Sequence, residues 1–197
     1  MSITRSQLQA QIDQYERRRS AIVGEIANHE GQISSLTATI ANYQSVITSL
    51  EAERAARTRD RNEHEGVLRR LRSDKERFTN YVSRVQKSAT SVDVLSASVC
   101  FAQAYTQNMK GLLYGNQLRM AREGITSAEN LFVKKINSLY NKVAEINRDI
   151  ARKKNAINQE QDAINRLRSL IAELENARYR CAEKIAELRS LMSLSLY

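Results

Sequence analysis

Residues 136–192 decide the fold, and they read INSLYNKVAEINRDIARKKNAINQEQDAINRLRSLIAELENARYRCAEKIAELRSLM. Apolar side chains recur there at alternating steps of three and four residues. That spacing places them along one edge of an α-helix, which we call a seam, and it is the requirement for a left-handed coiled coil. Fourteen of the 17 seam positions are apolar. The positions are Ile136, Leu139, Val143, Ile146, Ile150, Lys153, Ile157, Glu160, Ile164, Leu167, Ile171, Leu174, Arg178, Cys181, Ile185, Leu188 and Met192.

The N-terminal half carries a second seam with the same spacing from Leu8 to Leu50. Its register then meets four polar positions and becomes apolar again from Leu68 to Val92. An unbroken register favours one continuous helix through the polar positions, whereas a bend at 57–66 is the alternative. In the continuous helix, the polar positions would face water or a partner. These positions are Arg54, Arg57, Arg61 and His64.

The composition excludes most other fold classes. The chain has 197 residues, no proline and six glycines, although about ten prolines would be expected at this length. Sheet-containing domains need many Gly and Pro turns, so the sequence predicts an all-α protein. An apolar fraction of 42% with 27% charged residues excludes a disordered chain and a membrane bundle. We expect cytoplasmic synthesis, without a cleavable signal peptide or a spanning segment.

Gly111 and Gly115 are residues that favour helix ends and turns, so the sequence predicts a turn at 111–115. The chain would then be a long antiparallel hairpin of helices 1–110 and 116–195, in which residue i faces residue 226 − i. The first 28 or so residues would overhang with an uncovered apolar edge. A bend at 57–66 or 88–93 would instead fold that segment back into a three-helix bundle.

No motif predicts a reaction centre. The sequence lacks a nucleophile with its base and a phosphate-binding glycine loop, and its histidines and cysteines do not have metal-ligand spacing. We therefore predict no enzyme activity, no metal and no cofactor. Cys100 and Cys181 are interpreted as small buried apolar residues.

Residues 113–116 resemble a known motif. Small helical-hairpin proteins of type VII secretion carry W-x-G between two helices, and Leu113-Tyr114-Gly115 lies at the corresponding place. The layout is similar to the larger subfamily associated with LXG-domain toxins, although leucine replaces the tryptophan. These families also carry a C-terminal Tyr-x-x-x-Asp/Glu export signal, which Tyr179 and Glu183 match.

The resemblance implies an adaptor that binds the helical domain of a secreted toxin and promotes its export, and that leaves the cytoplasm without a cleavable signal. The overhanging edge and the charge-free stretch 94–109 are the predicted contact surfaces, as is the turn. The predicted partner-binding residues are Leu8, Ile12, Tyr15, Ile22, Val99, Phe101, Tyr105, Leu113, Tyr114 and Gly115.

Three other function classes remain open. The first is a structural coiled coil that acts by homo-oligomerisation. The second is a helical pore former, for which 94–109 is a poor spanning segment. The third is nucleic-acid binding, suggested by the net charge of +9. That excess is spread over both halves of the chain, whereas a nucleic-acid site normally concentrates it on one face.

Overall fold

A computed structural model describes residues 4–95 and 100–194. It contains helix α1 (Arg5–Leu95), helix α2 (Cys100–Tyr114) and helix α3 (Asn116–Leu194). Within the described ranges only Thr4 and Gly115 lie outside a helix. The all-α fold class is confirmed. The chain divides into unit 1 (Met1–Ser49 and Asp149–Tyr197) and unit 2 (Leu50–Arg148).

Helix α1 begins at a capping box. The backbone N–H of Gln7 donates to Thr4 Oγ1 at 3.4 Å, and the Thr4 N–H donates to Gln7 Oε1 at 2.9 Å. This reciprocal pair satisfies backbone donors that the first turn of a helix leaves without partners. The Thr4-Arg5-Ser6-Gln7 sequence therefore fixes where α1 starts.

In unit 1, α1 and α3 pack against each other antiparallel along their apolar seams. Leu8 and Ile12 form a buried cluster with Ile185 and Leu188. A second cluster joins Ile22, Ile26 and Cys181. The side chains of Glu16 and Arg189 form an ion pair at 2.6 Å. Paired residue numbers in this unit add to about 200.

Unit 2 has the same pairing rule. Arg54 donates to Asn147, and Tyr140 donates to Glu65 at 3.0 Å. Near the other end of the unit, the Gln86 side chain donates to the Leu113 carbonyl oxygen at 2.9 Å. These pairs also add to about 200, so the chain has already reversed direction before Leu113.

The predicted turn at 111–115 is therefore wrong. Gly111 lies within α2 and Gly115 is a break between α2 and α3, both on the returning side of the hairpin. The two glycines misled because glycine is common both at helix ends and at kinks. A Cβ atom at position 115 would clash with the Gly111 carbonyl oxygen, so this break requires glycine.

The change of register removes the predicted overhang. Since residue i faces about 200 − i, the first turns of α1 lie against the last turns of α3 in unit 1. Helix α1 continues through both proposed bends, 57–66 and 88–93. The three-helix alternative is therefore not the fold. Within each unit, α1 pairs antiparallel with the returning chain.

Candidate functional site

The predicted N-terminal contact residues lie in the core of unit 1. Leu8, Ile12 and Ile22 are buried against α3, and Tyr15 is half-buried beside both clusters. The prediction of an uncovered edge here is wrong, because the last turns of α3 cover it. These side chains stabilise the hairpin and do not form a free surface.

The remaining predicted contacts are divided. Leu113 is half-buried and Tyr114 is 61% exposed. Val99 lies outside the described residues, as do the side chains of Phe101 and Tyr105. The described part of this region therefore presents Tyr114 to solvent, with Leu112 also exposed beside it.

The tyrosine and glutamate of the export-like motif both face solvent. Tyr179 is 66% exposed, and Glu183 is exposed one turn later on α3. Cys181 between them is buried with a free thiol, as its interpretation as a small apolar residue predicted. The motif is accessible on the surface of unit 1, and its role stays a prediction.

The polar stretch of the α1 seam faces α3 in unit 2. All four of its side chains are half-buried, and Arg61 lies over the Tyr140 ring at 4.5 Å. Glu65 joins this contact, because it accepts from Tyr140 and lies 3.6 Å from the Arg61 guanidinium. His64 donates to the Asp60 carbonyl oxygen and packs against Phe132. Arg54 and Arg61 are therefore held by α3 of the same chain, through a charge-assisted hydrogen bond to Asn147 and a cation–π contact with Tyr140, whereas Arg57 pairs with Glu53 on α1 itself.

A second polar cluster in unit 2 joins the helices through Glu129. Its carboxylate lies 2.5 Å from Lys75 Nζ and 3.6 Å from Arg72 Nε. The hydrogen bond from Lys75 lowers the pKa of Glu129 below its ordinary value, with smaller contributions from the charges of Lys75 and Arg72. Hydrogen bonds and positive charges both favour the ionised carboxylate.

In contrast to these bonded groups, the seam of unit 1 contains a buried polar atom without a partner. The Nδ1 atom of His29 is buried and has no hydrogen-bond partner. A buried polar atom without a partner destabilises the fold by about 1–3 kcal/mol. His29 is thus a weak point in the seam, in contrast to His64, whose Nδ1 atom bonds to the Asp60 carbonyl oxygen.

The described residues contain no candidate metal centre. Within 4–95 and 100–194, no three His, Cys, Asp or Glu side chains converge in a way that could hold a metal ion. None of the helices in these ranges combines the length and apolar character needed to cross a bilayer.

Several exposed apolar side chains lie outside the seam and are not among the contact residues that the sequence predicts. Val67, Tyr81 and Leu131 each directly precede a seam position and are exposed in unit 2, as is Met120. Beside Leu131 lies an apolar cavity of about 290 Å³, lined also by His64, Ala128, Phe132 and Lys135. The signal was present in the sequence, since an apolar residue beside an apolar seam position widens the apolar edge.

Comparisons with known proteins support the fold. No protein-family model and no curated protein matches the chain. The structure is similar to a coiled-coil segment of the Smc protein of Pyrococcus yayanosii, formed by residues 345–468 and 694–814 of that protein. The TM-score is 0.76 at 15% sequence identity, and the match covers 96% of this chain and 83% of the segment. At this identity the similarity shows the fold alone, a long coiled coil.

Proposed function

We propose that the protein is a non-catalytic helical adaptor that folds without a partner and binds another helical protein along its outer surface. The observation that carries this proposal is the burial of the seam within the chain, exemplified by Ile12 and Leu188. A chain that covers its own seam does not need a second copy to fold. Apolar side chains beside the seam remain available for contacts with another helix.

The proposed partner is the helical domain of a type VII-secreted toxin of the LXG class. Support comes from the sequence resemblance at 113–115 and from the exposure of Tyr114, Tyr179 and Glu183. The exposed tyrosine and glutamate would act as an export signal read by the secretion machinery. In this proposal the adaptor accompanies the toxin as a chaperone and is itself secreted.

Homo-oligomerisation is the competing function, and light scattering distinguishes the two. The adaptor should have a mass of 22.4 kDa at every concentration and form a complex of defined stoichiometry when an LXG-toxin helical domain is added. A mass that rises to a stable multiple without any partner would favour the structural coiled coil and contradict the adaptor.

The export signal is tested in the secreting cell. Tyr179→Ala should abolish export while the circular dichroism of the purified protein stays unchanged, because this side chain is 66% exposed. Leu170→Ala, at another exposed residue of the same helix, is the control outside the motif. Continued export of Tyr179→Ala would remove the signal from the proposal.

A further inference from the structure

The seam of unit 2 has two unlike flanks. On one flank, which we call the bonded flank, polar side chains join α1 to α3. Its members Glu65, Arg72, Glu129 and Tyr140 each directly follow a seam residue and take part in the contacts described above. Seam positions are separated alternately by three and four residues. Within each step of four, the residue directly after the first seam position lies on one side of the seam, and the residue directly before the next seam position lies on the other.

The other flank, which we call the open flank, exposes apolar side chains. It is formed by Val67, Tyr81 and Leu131, which are 44%, 63% and 65% exposed, and Met120, which is 65% exposed, lies on the same side farther from the seam. A single exposed apolar residue on a surface is ordinary, whereas several on one side mark an interaction surface. The 290 Å³ cavity opens beside Leu131 and adds a recess to this flank. It lies where the seam takes two successive steps of four, from Ala128 through Phe132 to Ile136.

Basic residues border the open flank. Arg70, Arg77 and Arg84 recur at seven-residue intervals on α1, two residues beyond the seam positions, and Lys134 and Lys135 lie on α3. Arg77 lies 3.9 Å from Asp74. Unit 2 as a whole has 18 Lys and Arg against 11 Asp and Glu, a net charge of +7. Asp74 also lies on this flank, between Val67 and Tyr81, because it directly precedes seam position Lys75, and its side chain is 71% exposed. The flank therefore combines exposed apolar side chains with a border in which basic residues outnumber acidic ones.

We propose that the open flank of unit 2 is the docking site for an amphipathic helix whose apolar stripe is bordered by Asp and Glu. This inference rests on the proposed adaptor function and assigns it a place and a partner chemistry. Apolar side chains of the partner cover Val67, Tyr81, Met120 and Leu131, and its carboxylates pair with the arginines and lysines. Val67 and Tyr81 are 14 residues apart, about 21 Å along the helix, so the partner helix spans about four turns.

A second copy of this chain does not fit the same surface. Two copies meeting through their open flanks would bring Arg70, Arg77 and Arg84 of one near the same residues of the other. Like charges brought together at an interface oppose association. Charge complementarity therefore selects an acidic partner.

The test uses the full chain and a fluorescent synthetic peptide of 21 residues, with leucine at positions i, i+4, i+7 and i+11 and glutamate on most other positions. A second peptide carries lysine in place of each glutamate. Fluorescence anisotropy at low salt should show binding of the glutamate peptide and none of the lysine peptide. Binding should weaken as salt is raised, because the pairs at the border are exposed.

Two variants form a matched pair. Val67→Ser and Val23→Ser change the same residue type at nearly equal exposure, 44% and 46%, and Val23 lies in unit 1. Val67→Ser and Leu131→Ser should each weaken peptide binding roughly tenfold, whereas Val23→Ser should leave it unchanged. The double variant Arg70→Gln, Arg84→Gln should weaken binding and reduce its salt dependence.

In the peptide experiments, three results would overturn the docking site. The first is no binding of the glutamate peptide at low salt, and the second is equal binding by Val67→Ser, Leu131→Ser and the unchanged protein. The third is displacement of the peptide by oligodeoxythymidine with sensitivity to the arginine changes alone, which would identify a nucleic-acid surface. If a toxin domain binds and the open-flank variants do not weaken it, the adaptor function stands and this location for it is wrong.

Discussion

The seam of α1 is apolar in unit 1 and largely polar where unit 2 begins, yet both parts pair with α3 by the same rule. In unit 1 the contacts are buried aliphatic side chains such as Ile12 and Ile26. In unit 2, Arg54 and Arg61 occupy equivalent heptad positions and contact Asn147 and Tyr140. The spacing of the seam therefore determines which residues face each other, and its composition determines how strongly they hold.

The largest expected effect compares Ile12 with Arg54, its counterpart in unit 2. Ile12→Ala should lower the free energy of unfolding by about 3 kcal/mol, because it leaves a cavity in a buried cluster. Arg54→Ala should lower it by less than about 1 kcal/mol, since its bond to Asn147 is exposed. Urea unfolding followed by circular dichroism measures both. Equal decreases in the free energy of unfolding would mean that the apolar and polar parts of the seam stabilise the fold equally.

Making the polar seam apolar should narrow the difference between the units. Replacing Arg54, Arg57 and Arg61 together by leucine should raise the free energy of unfolding by about 2 kcal/mol, because apolar burial exceeds what partly exposed polar contacts contribute. Arg59→Leu is the control, as Arg59 is exposed in the same stretch. A loss of stability in the triple variant would show that the contacts to Asn147 and Tyr140 are worth more than apolar burial.

Two glycines of unit 2 should respond with opposite signs. Gly115→Ala should lower stability by about 1–2 kcal/mol, because the new methyl would clash with the Gly111 carbonyl oxygen. Gly124→Ala should raise stability by about 1 kcal/mol, since nothing lies within 4 Å of that site and alanine favours the helix. Thermal unfolding of both variants checks the sign. Stabilisation by Gly115→Ala would mean that α2 and α3 form one straight helix.

The two histidines offer a smaller test of the same contrast. His29→Leu should raise the free energy of unfolding by about 1 kcal/mol, because it removes a buried nitrogen without a partner. His64→Leu should not, since it removes a hydrogen bond of 2.7 Å to the Asp60 carbonyl oxygen. Chemical denaturation of both variants and of the unchanged protein in one buffer measures the two differences in the free energy of unfolding. A gain for His64→Leu as large as that for His29→Leu would contradict the contrast.

The smallest effect is a pH dependence confined to unit 2. The folded pKa of Glu129 is lowered, so its contribution to stability is complete above its ordinary value of 4.5 and is lost as pH falls through the lowered folded pKa. Glu129→Gln should flatten this part of the stability profile. Glu123→Gln, at an exposed glutamate on α3, should leave the profile unchanged. An unaltered acid slope in Glu129→Gln would remove the cluster with Lys75 and Arg72 from this account.

Much of the fold could be predicted from residue spacing. Of the α1 seam positions from Leu8 to Leu50, only Arg19 is exposed, and α1 continues through the polar positions as the unbroken register predicts. The turn was misplaced because Gly111 and Gly115 are the strongest local signal for a helix end, while pairing is set by the summed contacts of both seams. The predicted pairing of residue i with 226 − i differs by 26 from the observed pairing with about 200 − i. Because of this difference, the sequence predicts an uncovered apolar edge at the start of α1, where the structure has an edge covered by α3.

The candidate surface was less predictable than the fold. Val67 and Leu131 are ordinary apolar residues in the sequence, and their exposure follows only when the register places them beside the seam. The cation–π contact between Arg61 and Tyr140 likewise requires the correct pairing. Surface assignments depend on register, which local signals specify poorly.

The most direct test of the pairing measures the distance between residues 16 and 189. Spin labels at Glu16→Cys and Arg189→Cys, with Cys100 and Cys181 replaced by alanine, report it through their dipolar coupling. The observed pairing predicts labels on adjacent turns of neighbouring helices, whose axes are about 8–10 Å apart. The pairing 226 − i would place Arg189 opposite residue 37, and a distance longer by about 30 Å would contradict the account.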